Sequence, residues 1–369
     1  MTFAQRKPLP RPEAGQTLFS GREKEIGLYR LHFDRPQDHP QVRLITVISG
    51  SGGVGKTRLL DELEWFRPAE TIYGRLDSRS GLGHDATRLL RVLADSLHRE
   101  GEPIPTPNFD RLFKQRQTLL EKALTRSRDP KQVRRHFYRP ILLGLDPAPS
   151  PFSPDLDLFA DLNWSEAELN LAFQNPIGLL TQALVVDLNQ GGEGSKKSGE
   201  ESPKSNQERD RKSDTQPQQP IDGKEKPAAP KTVPHQISDR GSVGEPVKVV
   251  LMFDSFDQDT AIAGEWLLTY LLGQARERIT CDLRLIIAGR EALLDTDERW
   301  QPWQDTMLLL PLEPFTPAEV ADFVRKNTHF SDPADIKRIS KVTESSPLWL
   351  NVWAVSEASP TVTDLTGVF

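Results

Sequence analysis

Leu44-Ile45-Thr46-Val47-Ile48-Ser49-Gly50-Ser51-Gly52-Gly53-Val54-Gly55-Lys56-Thr57-Arg58-Leu59-Leu60 contains three signals in succession. Leu44 to Ile48 is a continuous apolar run, as expected of a strand buried on both faces in a parallel sheet covered by helices. Gly50-x-x-x-x-Gly55-Lys56-Thr57 then matches the phosphate-loop pattern at every fixed position. Leu59, Leu60, Leu63 and Phe66 recur at helical spacing until Pro68 closes the helix. The stretch therefore predicts strand, phosphate loop and helix.

The residue types follow from the chemistry of a polyphosphate. Gly50, Gly52, Gly53 and Gly55 free the backbone to turn N–H groups inward, so that the loop from Gly50 through Ser51, Gly52, Gly53 and Val54 to Gly55 forms an anion nest. The helix that follows adds its unpaired N–H groups and its dipole. Lys56 is expected to reach the β- and γ-phosphates, and the Thr57 hydroxyl to ligate Mg²⁺. ATP or ADP with Mg²⁺ is the expected cofactor pair.

With 369 residues, 36% hydrophobic and 27% charged, the chain has room for one large or two modest domains. A net charge of −6 supplies no global attraction to nucleic acid or to an anionic membrane. No apolar run is long enough to span a bilayer, and Met1 to Thr17 is too polar and Pro-rich for a signal peptide. A cytoplasmic protein without membrane or nucleic-acid partners is expected. Cys281, the single cysteine, cannot form an internal disulfide and reads as a packing residue beside a strand.

Around this nucleus the pattern alternates strand and helix. Leu18 to Ile26, with Leu28 and Leu31, reads as a short helix capped by Ser20 and placed to fold over a nucleotide base. Thr71 to Asp77 reads as a second strand and Ala86 to Leu97 as a helix, a succession that implies a parallel sheet. Residues 102–189 read as a helical insertion, with pieces at Leu112–Leu124 and Arg134–Leu143. Its basic cluster of Arg126, Arg128, Lys131, Arg134, Arg135 and Arg139 fits a solvated helix face better than a phosphate contact. Ser165-Glu166-Ala167-Glu168 is a capping box, and Pro176 opens a further helix. Residues 190–246 lack aromatic residues and are rich in Gly, Ser, Pro, Lys, Glu and Gln, the composition of a disordered and dispensable tether.

Val247 to Asp257 restores the strand pattern and ends in acid. Asp254 at the strand tip is expected to hold Mg²⁺, and Asp257 to orient the attacking water. Leu283 to Arg290 is another buried strand, with Arg290 at its C-terminal tip, where a γ-phosphate contact and a structural ion pair are both open readings. Trp266 to Leu272 reads as a helix and Met307 to Leu310 as a fifth strand. Beyond it, the Thr316-Pro317-Ala318-Glu319 capping box, then Ile336, Ile339 and Val342, then Leu348, Val352 and Val355 with Trp349 and Trp353, mark three helices. The expected organisation is an N-terminal segment over 1–40, an α/β core over 41–312 with a five-stranded, mainly parallel sheet, and a helical lid over 313–369.

Together these motifs resemble the STAND class of P-loop ATPases, relatives of the AAA+ proteins that include NB-ARC and NACHT modules. Gly21-Arg22-Glu23 is similar to the family's adenine-proximal Gly-Arg-Glu segment, Gly50 to Thr57 to its Walker A motif, and Leu251 to Asp257 to its Walker B motif. Arg290 resembles the sensor arginine. Thr343 to Leu348 resembles the lid element whose proline, here Pro347, packs on the base, with Ser346 where the family has glycine. The resemblance implies a slowly hydrolysing, ATP-driven switch in signal transduction or defence, with nucleotide-dependent self-assembly and a sensor domain or protein partner outside this chain. A motor acting on DNA and a nucleotide-holding scaffold without turnover are the alternatives.

Overall fold

The computed structural model describes residues 21–35, 39, 42–66, 68, 70–78, 86–126, 164–191, 246–258 and 260–358. Ser20, the helix expected at Arg134–Leu143, most of the basic cluster and the body of the 190–246 tether lie outside the described residues. The strands are β1 (Ile45–Ser49), β2 (Ile72–Asp77), β3 (His98–Arg99), β4 (Glu102–Pro103), β5 (Lys248–Asp254), β6 (Asp282–Ala288) and β7 (Met307–Pro311). They form one sheet in the order β4-β3-β2-β5-β6-β1-β7, and the five strands from β2 to β7 run parallel.

Among the described residues the sheet thus has seven strands where the sequence pattern suggested five. The additions are two-residue strands, too short to carry a periodicity. Their turn has positive φ at Glu100 (53°) and Gly101 (90°), as a two-residue hairpin connection requires. The hairpin extends the β2 edge in antiparallel fashion, Tyr73 opposite His98 and Arg99 opposite Glu102. So short an edge offers little backbone for pairing with another chain.

Alternation along the strands divides the core in two. One face carries Ile45, Val47, Ile72, Leu76, Val249, Leu251, Phe253, Leu283, Leu285 and Ile287. The core on that side is built with α3 (Ala86–Ser96), α4 (Pro107–Arg126) and the segment from Ala263 to Ala275. α5 (Glu166–Leu169) leads into Leu171 and Ala172, which join a smaller cluster with Leu119, Leu120 and Ala123 of α4, and α6 (Pro176–Gln190) adds Ile177, Leu180, Leu184 and Leu188 to the main core. The other face carries Ile48, Tyr73, Val250, Met252 and Ile286 and is covered by α1 (Glu23–Phe33) and α2 (Lys56–Trp65). The inserted helices α4 and α6 are therefore part of the main core. Asp187 of α6 ties them down by accepting hydrogen bonds from the backbone N–H groups of Asn108 (3.1 Å) and Phe109 (2.9 Å) at the start of α4. Asn175 caps α6 through the Gly178 N–H, and Ser165 and Glu168 form the expected capping box on α5.

The segment expected as a helix from Trp266 is wound as a π-helix over Trp266–Gln274. Trp266 is fully buried, packs against Phe253, and donates its indole N–H to Thr181 Oγ1 of α6 at 2.9 Å. Trp266→Ala should cost about 3–5 kcal/mol, because it opens a cavity and removes the donor to the Thr181 hydroxyl, which keeps only its own bond to the Ile177 carbonyl. Denaturant unfolding reads this directly as a lower midpoint with an unchanged slope.

Among the described residues no single helix is long and apolar enough to cross a membrane. Beyond β7 the chain forms α7 (Pro317–Asn327), α8 (Pro333–Val342) and α9 (Pro347–Ala358) around a separate small core of Phe315, Val320, Phe323, Val324, Ile336, Ile339, Leu350 and Ala354. The helix that these residues mark is present as α9, and its apolar stripe faces outward. Leu348, Trp349, Val352 and Val355 are each about half exposed, whereas Leu350 and Ala354 turn inward.

Candidate functional site

The site lies at the C-terminal edge of the parallel strands, where open α/β sheets bind ligands. β6 separates β1 from β5, so the phosphate loop and the acidic strand tip meet across an intervening strand. The loop has the backbone that its glycines were expected to allow: φ is 149° at Gly50, 80° at Gly53 and 98° at Gly55. A Cβ at Gly50 would stand 2.5 Å from the Leu312 carbonyl oxygen, an approach only glycine permits. Gly55 is the left-handed N-cap of α2, which starts at Lys56.

Lys56 Nζ donates to the carbonyls of Gly50 (2.6 Å) and Ser51 (2.8 Å), so the ammonium closes the loop on itself. Burial pulls its pKa below the ordinary value; Asp257 and Asp254 oppose that shift and Arg290 reinforces it. Thr57 donates its hydroxyl to Asp254 Oδ1 at 3.1 Å. A hydroxyl and a carboxylate so close together are the hard oxygen donors that Mg²⁺ takes from a protein, the remaining positions being water and phosphate oxygens. The glycine cradle, Lys56 and this donor pair fit a magnesium-bound nucleotide.

Asp257 lies just beyond β5 in a short 3₁₀ turn, and its Oδ1 accepts the backbone N–H of Arg290 at 3.1 Å. The Arg290 side chain is 67% exposed, with Nε 3.7 Å from Asp257 Oδ2. Its carbonyl accepts the Gly50 N–H at 3.2 Å, and Gly289 donates to Ile48 at 3.0 Å. The tip of β6 is thereby fastened both to Asp257 and to the start of the phosphate loop.

Arg22 and Pro347 come from opposite ends of the chain. Arg22 is buried, with φ at 69°, and its guanidinium donates to the Val54 carbonyl at 3.0 Å and the Glu313 carbonyl at 2.5 Å. It also lies over the Phe315 ring, 5.2 Å from its centroid, and thus ties α1, the loop and the connection into the lid together. Pro347 opens α9, and the next residue, Leu348, donates its N–H to the Gly53 carbonyl at 3.1 Å. Glu344 (φ 51°) and Ser345 (φ 55°) make the turn into α9 in the left-handed region without glycine.

Arg75 of β2 had no role in the sequence reading. Its guanidinium donates to Asp254 Oδ2 at 2.9 Å and to Asp61 Oδ1 at 2.6 Å, and Glu64 lies 3.7 Å away. Burial opposes its charge, but the bonds and attraction of Asp61 and Asp254 outweigh it and raise the pKa above the ordinary arginine value. A charged residue inside Ile72-Tyr73-Gly74-Arg75-Leu76 was the available signal. Its partners depend on strand register: Asp77 pairs with Asp254, which sets Arg75 diagonally beside Asp254 on the same face.

The parallel sheet and the glycine cradle, with Lys56, Thr57 and Asp254 at one sheet edge, define a phosphate-loop NTPase fold. No protein-family model and no curated protein sequence matches the chain. Among solved structures it is similar to the Walker-type ATPase PABY2304 of Pyrococcus abyssi, at 13% identity and a TM-score of 0.43, over 94% of this chain and 69% of that one. It is also similar to a signal transduction ATPase with numerous domains, the STAND protein with a tetratricopeptide repeat sensor PH0952 from Pyrococcus horikoshii. There the identity is 14% and the TM-score 0.36, over 96% of this chain and 32% of that protein.

Proposed function

We propose that the chain is a cytoplasmic, ATP-binding and slowly hydrolysing molecular switch of the STAND type, working in signalling or defence through self-assembly or a protein partner. The observation that carries this reading is the hydrogen bond from the Leu348 N–H of the lid to the Gly53 carbonyl of the phosphate loop. A Cβ at Gly53 would stand 3.1 Å from Leu348, so lid and loop are in contact. Whatever occupies the loop bears directly on where the lid can rest, the two-state element that a nucleotide switch needs.

In this reading the loop N–H groups and Lys56 bind the phosphates, and Thr57 and Asp254 hold the metal. Arg22 keeps the lid connection on the loop, and Asp257 orients water. Bound Mg²⁺ would neutralise charge that develops on the transferred phosphoryl group. The test is the nucleotide carried by the purified protein, together with its mass in solution with and without ATP. Bound ADP, with a monomer that assembles on ATP addition, is the expected result; a nucleotide-independent mass overturns the switch.

A further inference from the structure

Asp254 is 1% exposed, and both of its carboxylate oxygens are engaged: Oδ1 accepts the Thr57 hydroxyl and Oδ2 the Arg75 guanidinium. A carboxylate this buried is costly to keep charged without a counter-charge. Arg75 supplies one, and is itself shared with Asp61 on α2. The sharing has a consequence for cation binding. A free dication would meet a carboxylate already half neutralised and would gain little. A dication that arrives on a triphosphate brings its own negative partner and is not penalised in the same way.

We propose that Arg75 acts as a positioning residue that sets the order of loading, holding free divalent cations off Asp254 so that metal enters with nucleotide. The inference rests on the nucleotide site proposed above. It assigns Arg75 two linked effects of one charge: it weakens binding of bare metal, and it shields metal-free nucleotide from the negative charge of Asp254. A residue that served only to stabilise the fold would move neither affinity.

The experiment titrates Mn²⁺ into the nucleotide-free full chain, following free Mn²⁺ by its paramagnetic resonance signal, and separately titrates ATP with Mg²⁺ and with EDTA. Arg75→Met combined with Asp61→Asn removes one positive and one negative charge, leaving the net charge constant and Asp61 not abandoned as a charge, while Glu64 loses its 3.7 Å contact with Arg75 and keeps His98 at 3.2 Å. Arg75→Gln, which removes the charge and keeps an amide donor on a shorter side chain, serves as the second variant should the first not fold. An adjacent opposite charge shifts a carboxylate's preference for its charged form by about one to three pK units, so Mn²⁺ should bind roughly tenfold tighter in either variant. Metal-free ATP should bind several-fold more weakly, and Arg75→Lys should behave like the unmodified chain. Unchanged or weaker Mn²⁺ binding in both variants, while the unmodified chain still binds ATP, overturns the role of Arg75 alone; an unmodified chain that binds no nucleotide in either buffer overturns this inference together with the nucleotide site.

Discussion

Replacing Lys56 with alanine is expected to weaken MgATP binding by roughly 10- to 150-fold, since charge-assisted hydrogen bonds contribute about 1.5–3 kcal/mol each. In the structure the ammonium is bound to the Gly50 and Ser51 carbonyls. To engage phosphate it exchanges those neutral acceptors for charged ones, so the measured loss is the difference between the two arrangements. Both carbonyls belong to half-exposed or exposed residues that water can serve, so the variant should keep the melting temperature of the parent. Calorimetry on the folded variant reads the effect. Unchanged affinity would remove the site.

The second large effect concerns turnover. Asp257 is one methylene shorter than the glutamate that orients water in fast AAA+ motors, and misplacing a reacting group by about 1 Å can cost on the order of a hundredfold in rate. The structure adds a competing engagement, because Asp257 already accepts the Arg290 N–H and faces its guanidinium. Hydrolysis by the isolated chain should therefore fall well below the ~10 s⁻¹ typical of enzymes. Asp257→Asn should slow it further with ATP affinity largely intact. Asp254→Asn should instead weaken Mg²⁺-dependent binding, because it removes charge from the carboxylate beside Thr57. Single-turnover and steady-state assays separate the two variants. Fast turnover in the parent, or undiminished hydrolysis by Asp257→Asn, would favour a motor.

The elements read correctly from sequence are those whose cause is local. The run Leu44–Ile48, the glycines of the loop, the Thr316–Glu319 and Ser165–Glu168 capping boxes, and Pro176 and Pro317 in first helical turns each act within a few residues of themselves. The β3–β4 hairpin escaped because two-residue strands have no period, and the outward turn of Leu348, Val352 and Val355 escaped because spacing defines a stripe without saying what it faces.

By itself, then, the sequence determined that a strand, an anion-binding loop and a helix follow one another at Leu44–Leu60, and that Asp254 ends an apolar strand. Both are dictated by backbone sterics and by alternation over short windows. Only the tertiary structure decided that β6 stands between β1 and β5, that α6 completes the core, that Arg22 joins loop to lid, and that Arg75 neutralises Asp254. Each of these depends on which strands pair and in what register. A guanidinium finds its carboxylate 179 residues away only after the sheet has formed and burial has made an unpaired charge too costly to leave.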